Sequence, residues 1–170
     1  QIAEVFSKIG VAGEKMTVQA GALLGRAASA ALEHSLTGLE FASGIPGCVG
    51  GAVVMNAGAY EGEMSQVVDR VRGITFEGKE VEFSNRELNF GYRKSLLKQE
   101  KIVATEVEFQ LAGGIRKEIS SKMADLAERR RVKQPLEHPS AGSTFKRPEG
   151  YFAGKLIMDA GLRGASVGGA

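Results

Sequence analysis

An α+β fold is predicted, on three observations. Strand-like and helix-like stretches mix without the regular alternation of a parallel α/β sheet. The glycines, 23 in 170 residues, cluster rather than spreading evenly. The character of the chain also changes after Ala112-Gly113-Gly114, where a long charged helix takes over from a strand-rich region. That change is the expected domain boundary, dividing residues 1–112 from 113–170.

Taken in order, Lys15 to Ala20 alternates polar and apolar residues after the turn-like Ala12-Gly13-Glu14, as a half-buried strand does. Leu24, Ala28, Ala31 and Leu32 recur at helical spacing, with His34-Ser35 near the end. The glycine-dense segment Gly38 to Gly62 follows, and Ala52-Val53-Val54-Met55 within it is expected to begin a packed helix. Val67 to Phe76 and Val81 to Phe83 are expected strands, joined by a hairpin turn at Glu77-Gly78-Lys79. Lys101 to Leu111 is another, with Val103, Thr105, Val107 and Phe109 assigned to one face. Ile119, Met123 and Leu126 mark one side of a helix that ends before Pro135. A short helix from Tyr151 to Ala160, closed by Gly161, is the last element.

Composition excludes several classes. Hydrophobic content of 43% and charged content of 25% are ordinary globular values. Apolar stretches are broken by glycine or charge before they reach membrane-spanning length. A net charge of +2 and scattered basic residues do not argue for nucleic acid. The single cysteine, Cys48, excludes an internal disulfide and fits a reducing cytoplasm. His34 and His138 have no Cys or carboxylate at ligand spacing, so no metal site is expected. A small-molecule substrate and a monomeric state are expected, with no nucleic-acid or membrane partner. The chain begins at Gln1 and stops at Gly168-Gly169-Ala170, in what reads as a tight loop, so a fragment of a longer protein is expected.

The glycine-dense segment reads G-L-E-F-A-S-G-I-P-G-C-V-G-G-A-V-V-M-N-A-G-A-Y-E-G. Glycines here allow backbone amides to approach a ligand, and free N–H groups at such a turn cradle phosphate oxygens. The same glycines would also serve tight turns between buried elements. The segment is neither a dinucleotide G-x-G-x-x-G nor an NTP-binding loop. Spacing alone therefore stops at a phosphate-binding candidate.

Four ordered blocks go further. Gly44-Ile45-Pro46-Gly47, Gly50-Gly51-Ala52 and Met55-Asn56-Ala57-Gly58-Ala59-Tyr60 form the first, and Phe90-Gly91-Tyr92-Arg93-Lys94-Ser95 the second. The third runs from Arg129-Arg130 through Lys133-Gln134-Pro135-Leu136 and Pro139-Ser140-Ala141-Gly142-Ser143-Thr144-Phe145-Lys146-Arg147-Pro148. Gly154-Lys155-Leu156-Ile157 with Ala160-Gly161-Leu162 is the fourth. Together they resemble the UDP-N-acetylenolpyruvoylglucosamine reductase family, in its shorter subclass. The resemblance implies part of a vanillyl-alcohol-oxidase-type FAD-binding fold in 1–112, then part of an α+β substrate-binding domain in 113–170. It implies FAD and NADPH as cofactors, with Gly44, Ile45, Pro46, Gly47, Gly50, Gly51, Ala52, Asn56, Ala57 and Gly58 around the flavin.

The reaction so implied passes a hydride from reduced flavin to C3 of the enolpyruvyl group of UDP-N-acetylglucosamine enolpyruvate and a proton to C2. Ser143 is assigned the proton, although Ala-Gly-Ser-Thr is otherwise a polar turn. Arg93 offers a fixed two-pronged donor for the substrate carboxylate, its alternative being a surface arginine paired with Glu87 or solvated. Tyr92 is assigned to the substrate site or to packing. Lys133 is assigned to the substrate or to the helix dipole, and Arg147 to the nucleotide phosphates. Arg129, Arg130 and Arg131 are assigned no site role. The family's C-terminal glutamate and N-terminal flavin motif have no counterpart here, so the fragment alone is expected to be inactive and to hold FAD poorly. Another flavin oxidoreductase of the same fold, or a nucleotide-sugar-binding module without turnover, are the competing readings.

Overall fold

A computed structural model describes residues 6–133 and 145–168. The chain forms two compact units, Gln1–Lys133 and Gln134–Ala170. The first contains β1 (Ile9–Ala12), β2 (Lys15–Gln19), α1 (Leu24–Glu33), β3 (Leu36–Thr37), α2 (Val49–Val54), β4 (Gly58–Ala59) and β5 (Gly62–Glu63). It continues with β6 (Val68–Ile74), β7 (Glu80–Ser84), α3 (Leu96–Gln99), β8 (Val103–Gln110), β9 (Ala112–Gly113) and α4 (Arg116–Lys133). The α+β class is the one observed.

The main sheet has the order β1-β2-β8-β6-β7, every pairing antiparallel. Short ribbons pair β3 with β9 and β4 with β5. Period-two alternation gives the sheet two unlike faces. Met16, Val18, Val71, Val107 and Phe109 are almost fully buried on one side, where α2 packs against β2 and β8. On the other side Lys15 pairs with Glu108, Arg70 with Glu82, and Arg72 with both Glu82 and Glu106. A surface lattice of this kind aligns strands and adds little stability.

The single-face assignment in β8 is corrected. Arg72 pairs with Glu106 but Gly73 pairs with Ala104, so Thr105 is the extra residue of a bulge. Alternation restarts there, and Ala104 is buried while Val103 is exposed. Thr105 keeps a structural part through its carbonyl, which accepts the Ala20 N–H at 2.8 Å. The helix expected from Ala52 is likewise corrected: α2 starts at Val49 and ends before Met55.

In α1 the buried residues are Leu24, Ala27, Ala28 and Ala31, whose small side chains let the helix lie close to its neighbours. In α4, Ile119 and Leu126 are buried and Met123 half-buried, the stripe expected for it. This helix packs on α1, on β3 and on the turn Glu40–Ala42, and so belongs to the first compact unit. Among the described residues, no helix is long and apolar enough to cross a membrane.

The second unit holds α5 (Ala153–Asp159), followed by Gly161 at φ +70°. None of the α5 residues is buried, and Tyr151, Phe152, Leu156, Met158 and Leu162 are exposed.

Candidate functional site

The glycine-rich loop leaves the turn Glu40–Ala42 and enters α2. Two bonds clamp it beside Cys48: Leu24 N–H to the Gly47 carbonyl at 3.0 Å, and Val49 N–H to the Ala22 carbonyl at 2.9 Å. Gly50 N–H donates to the Ala20 carbonyl at 2.9 Å. The N–H groups of Gly47, Cys48 and Gly51 donate to no acceptor among the described residues. Gly47 stands at φ +122°, a backbone conformation open to glycine and costly for other residues. At Gly50 a Cβ would lie 2.8 Å from that of Ala20, so glycine is what lets α2 sit against the end of β2. Free N–H groups on an exposed glycine loop fit the oxygens of a phosphate or pyrophosphate.

The residues expected around the flavin fall into two sets. Gly44, Pro46, Gly47 and Gly51 are exposed, with Ile45, Ala57 and Gly58 half-buried beside them. Gly50, Ala52 and Asn56 are buried behind the loop, because they lie on the side of α2 and its C-terminal turn that faces the core. The Asn56 amide is engaged internally, donating to the Gly91 carbonyl at 3.1 Å and accepting the Ser65 N–H at 2.9 Å.

Arg93 lies at the opposite end of α2. Its two terminal nitrogens donate to the Asn56 carbonyl at 3.3 Å and the Gly58 carbonyl at 3.1 Å. Its guanidinium stands 5.0 Å from the Tyr92 ring centroid, within cation–π range. The surface-pair alternative is corrected, since Glu87 turns instead to the N–H and hydroxyl of Ser84. Two of the five guanidinium N–H groups are used by these carbonyls, which leaves others for an anion. A helix the length of α2 spans about 9 Å at about 1.5 Å per residue. It therefore holds the amide-lined loop and Arg93 a fixed distance apart.

Arg130, assigned no site role from sequence, does reach the loop. Its guanidinium donates to the Gly44 carbonyl, bringing a cation from α4 onto the glycine loop. Nothing in the run Arg129-Arg130-Arg131 singles it out, because the link depends on how α4 packs. Glu40 was also missed, although an acid inside the apolar run Leu39-Glu40-Phe41-Ala42 was a signal. Its carboxylate is almost fully buried, accepting from the Thr37 hydroxyl at 2.5 Å and the Gly38 N–H at 3.0 Å. Lys122 of α4 pairs with it at 3.6 Å.

In the second unit Arg147 donates to the Tyr151 carbonyl at 3.3 Å and stacks 4.1 Å from the Phe152 ring centroid. Ser143 and the Lys133 side chain lie outside the described residues. A recess of about 480 Å³ opens elsewhere, between Phe6, Arg72, Ile74, Val81 and Glu106. Its arginine is already paired with Glu82 and Glu106, so the glycine loop is the better ligand site. Among the described residues no cluster of His, Cys, Asp and Glu could hold a metal ion.

The amide-lined glycine loop beside the end of β2 defines a phosphate-binding module, and the match of residues 4–84 to the FAD binding domain family makes its class a flavin-binding one. Residues 134–170 match the C-terminal domain of UDP-N-acetylenolpyruvoylglucosamine reductase. The chain belongs to the UDP-N-acetylenolpyruvoylglucosamine reductase family. It is 52% identical over 160 residues to that reductase from Caldanaerobacter subterraneus subsp. tengcongensis, covering 94% of this chain and 53% of the relative. With the reductase from Alkaliphilus oremlandii it shares 51% identity over 170 residues, or 100% of this chain and 56% of the relative. The crystal structure of the Thermus caldophilus enzyme superposes with a TM-score of 0.84 at 39% identity, covering 98% of this chain and 60% of that one. The chain spans about half the length of the curated relatives it matches.

Proposed function

We propose that the complete enzyme reduces UDP-N-acetylglucosamine enolpyruvate to UDP-N-acetylmuramate in the cytoplasm, with FAD and NADPH, for peptidoglycan synthesis. Residues 1–112, all within the first unit, would supply the later part of the FAD-binding domain. Residues beyond would begin the substrate-binding domain. The observation that carries this reading is the glycine loop, where the N–H groups of Gly47, Cys48 and Gly51 donate to no acceptor among the described residues and the Arg130 cation stands beside them. Those groups would hold the pyrophosphate of FAD. FAD held there would supply the hydride chemistry between NADPH and C3 of the enolpyruvyl group.

The remaining steps belong to the chain's own side chains. Arg93 would face the substrate carboxylate and the negative charge that develops beside C2. Its anchoring on the Asn56 and Gly58 carbonyls supports that role, because a fixed donor needs no reorganisation when charge develops. Ser143 would deliver the proton to C2. Tyr92, exposed beside Arg93, would wall the substrate, and Lys133 and Arg147 would meet its diphosphate.

NADPH oxidation by the complete enzyme tests this, measured with and without the enolpyruvyl substrate, for wild type and Ser143→Ala. Substrate-dependent oxidation is expected in wild type. In Ser143→Ala that rate should collapse while flavin reduction by NADPH survives. Oxidation of NADPH at one rate with or without substrate would remove the substrate assignment, and an unimpaired variant would remove Ser143.

A further inference from the structure

Asn56 sits in the flavin-loop motif, yet its side chain is wholly inside the protein. Both ends of the amide are used: Nδ2 donates to the Gly91 carbonyl at 3.1 Å, and Oδ1 accepts from the Ser65 N–H at 2.9 Å. The backbone at Asn56 is left-handed, at φ +42°, a conformation asparagine tolerates better than most residues. That conformation goes with a second contact. The Asn56 carbonyl receives Arg93 Nη1 at 3.3 Å, so the residue touches the arginine's loop through side chain and main chain alike.

The loop it touches is tightly closed. Gly91 and Lys94 exchange both backbone hydrogen bonds, at 3.0 and 3.1 Å, and Arg93 between them stands at φ +55°. Beyond it, the buried Ser95 hydroxyl donates to the Val54 carbonyl at 2.7 Å. The loop is thus pinned on one side by Asn56 through Gly91 and on the other by Val54 through Ser95. Left-handed backbone at a non-glycine residue persists where surrounding contacts over-determine it, and here they determine where the guanidinium is placed.

We propose that Asn56 is a positioning residue for Arg93, acting through the Gly91 carbonyl, and not a cofactor contact. The inference rests on the role given above to Arg93. With Asn56 removed, the loop loses one of its two pins and the guanidinium loses its fixed place, which raises the barrier to the substrate step alone.

The test uses the complete enzyme and two half-reactions: flavin reduction by NADPH, and reoxidation of reduced flavin by the enolpyruvyl substrate. Asn56→Gly suits the left-handed backbone, and Asn56→Asp keeps the acceptor for Ser65 while setting a carboxylate against the Gly91 carbonyl. Both should slow reoxidation by about 10- to 100-fold, with flavin content and NADPH reduction unchanged. Added to Arg93→Ala, Asn56→Gly should slow reoxidation by less than about twofold more, since coupled residues are not additive. The same slowing factor with and without Arg93 overturns the positioning role, and so does loss of flavin from Asn56→Gly or full activity in Asn56→Asp. If Arg93→Ala alone leaves reoxidation intact, the reading of Arg93 itself fails.

Discussion

Gly50 and Gly51 are neighbours in α2 under opposite constraints. A Cβ on Gly50 would press to 2.8 Å against Ala20, on the strand that anchors the loop. One on Gly51 would meet only the Cys48 sulfur at 3.6 Å, ordinary van der Waals contact, and would stand on the exposed side beside the free N–H groups. Gly50→Ala is therefore an overpacking change and should cost about 1–3 kcal/mol of stability. Gly51→Ala should keep the fold, and even gain slightly from a better helix former, while its methyl obstructs the approach of a ligand to the amides. Thermal unfolding and flavin retention in the complete enzyme separate the two: Gly50→Ala lowers Tm, and Gly51→Ala lowers flavin affinity with no loss of Tm in the flavin-free protein. Equal loss of flavin in both, with no loss of stability in either, would remove the distinction between a structural and a ligand-facing glycine.

At the level of elements, α4 is the one whose role depends most on tertiary contacts. It grips the glycine segment twice, Lys122 on Glu40 and Arg130 on Gly44, so its position and that of the loop are set together. Burial is the strongest influence on Glu40 and pushes its carboxyl up. Hydrogen bonds from Thr37 and from the amides of Glu40 and Gly38, with the Lys122 charge, outweigh it and hold the group below the usual carboxylate range. A pKa lowered by folding adds stability above the unfolded value, about 4.3 for glutamate. That stability is lost as pH falls through the lowered folded value. Glu40→Gln should therefore cost about 1–3 kcal/mol at pH 7, and the gap to wild type should narrow steadily below about pH 4. Denaturant titrations across that range check it, and a gap independent of pH would mean that Glu40 acts through shape and not charge. Periodicity alone marked the Ile119, Met123 and Leu126 stripe correctly, because that stripe is a local property of the chain. It could not show that a charge on the same helix ends on a carbonyl many residues earlier.

Across the whole molecule, what could be read in advance follows the same division between local and distant causes. Although β1 was not read in advance, strands β2, β6, β7 and β8, the β6–β7 hairpin and the glycine loop announce themselves through alternation and turn residues, and all are present. The bulge at Thr105 does not, since it arises from pairing between β6 and β8 and leaves the composition of β8 unchanged. Nor could the inward turn of Asn56 be read, because its partners are a carbonyl at Gly91 and an N–H at Ser65 that only folding brings near. The same reasoning divides the stability of the two units. The hydrophobic core draws its buried residues from Met16 to Leu111, joined by Ile119 and Leu126, all in the first unit. In the second, α5 is seven residues long and buries none of them. A helix so short is marginal in water without packing. A chain ending at Lys133 should therefore unfold in one cooperative transition with nearly the Tm of residues 1–170, whereas a peptide of residues 134–170 should show little helical circular dichroism. Calorimetry on the shortened chain and far-ultraviolet spectra of the peptide measure the two. A Tm lowered by more than about 4 °C, roughly the shift about 1 kcal/mol gives in a chain of this length, would show that the second unit stabilises the first.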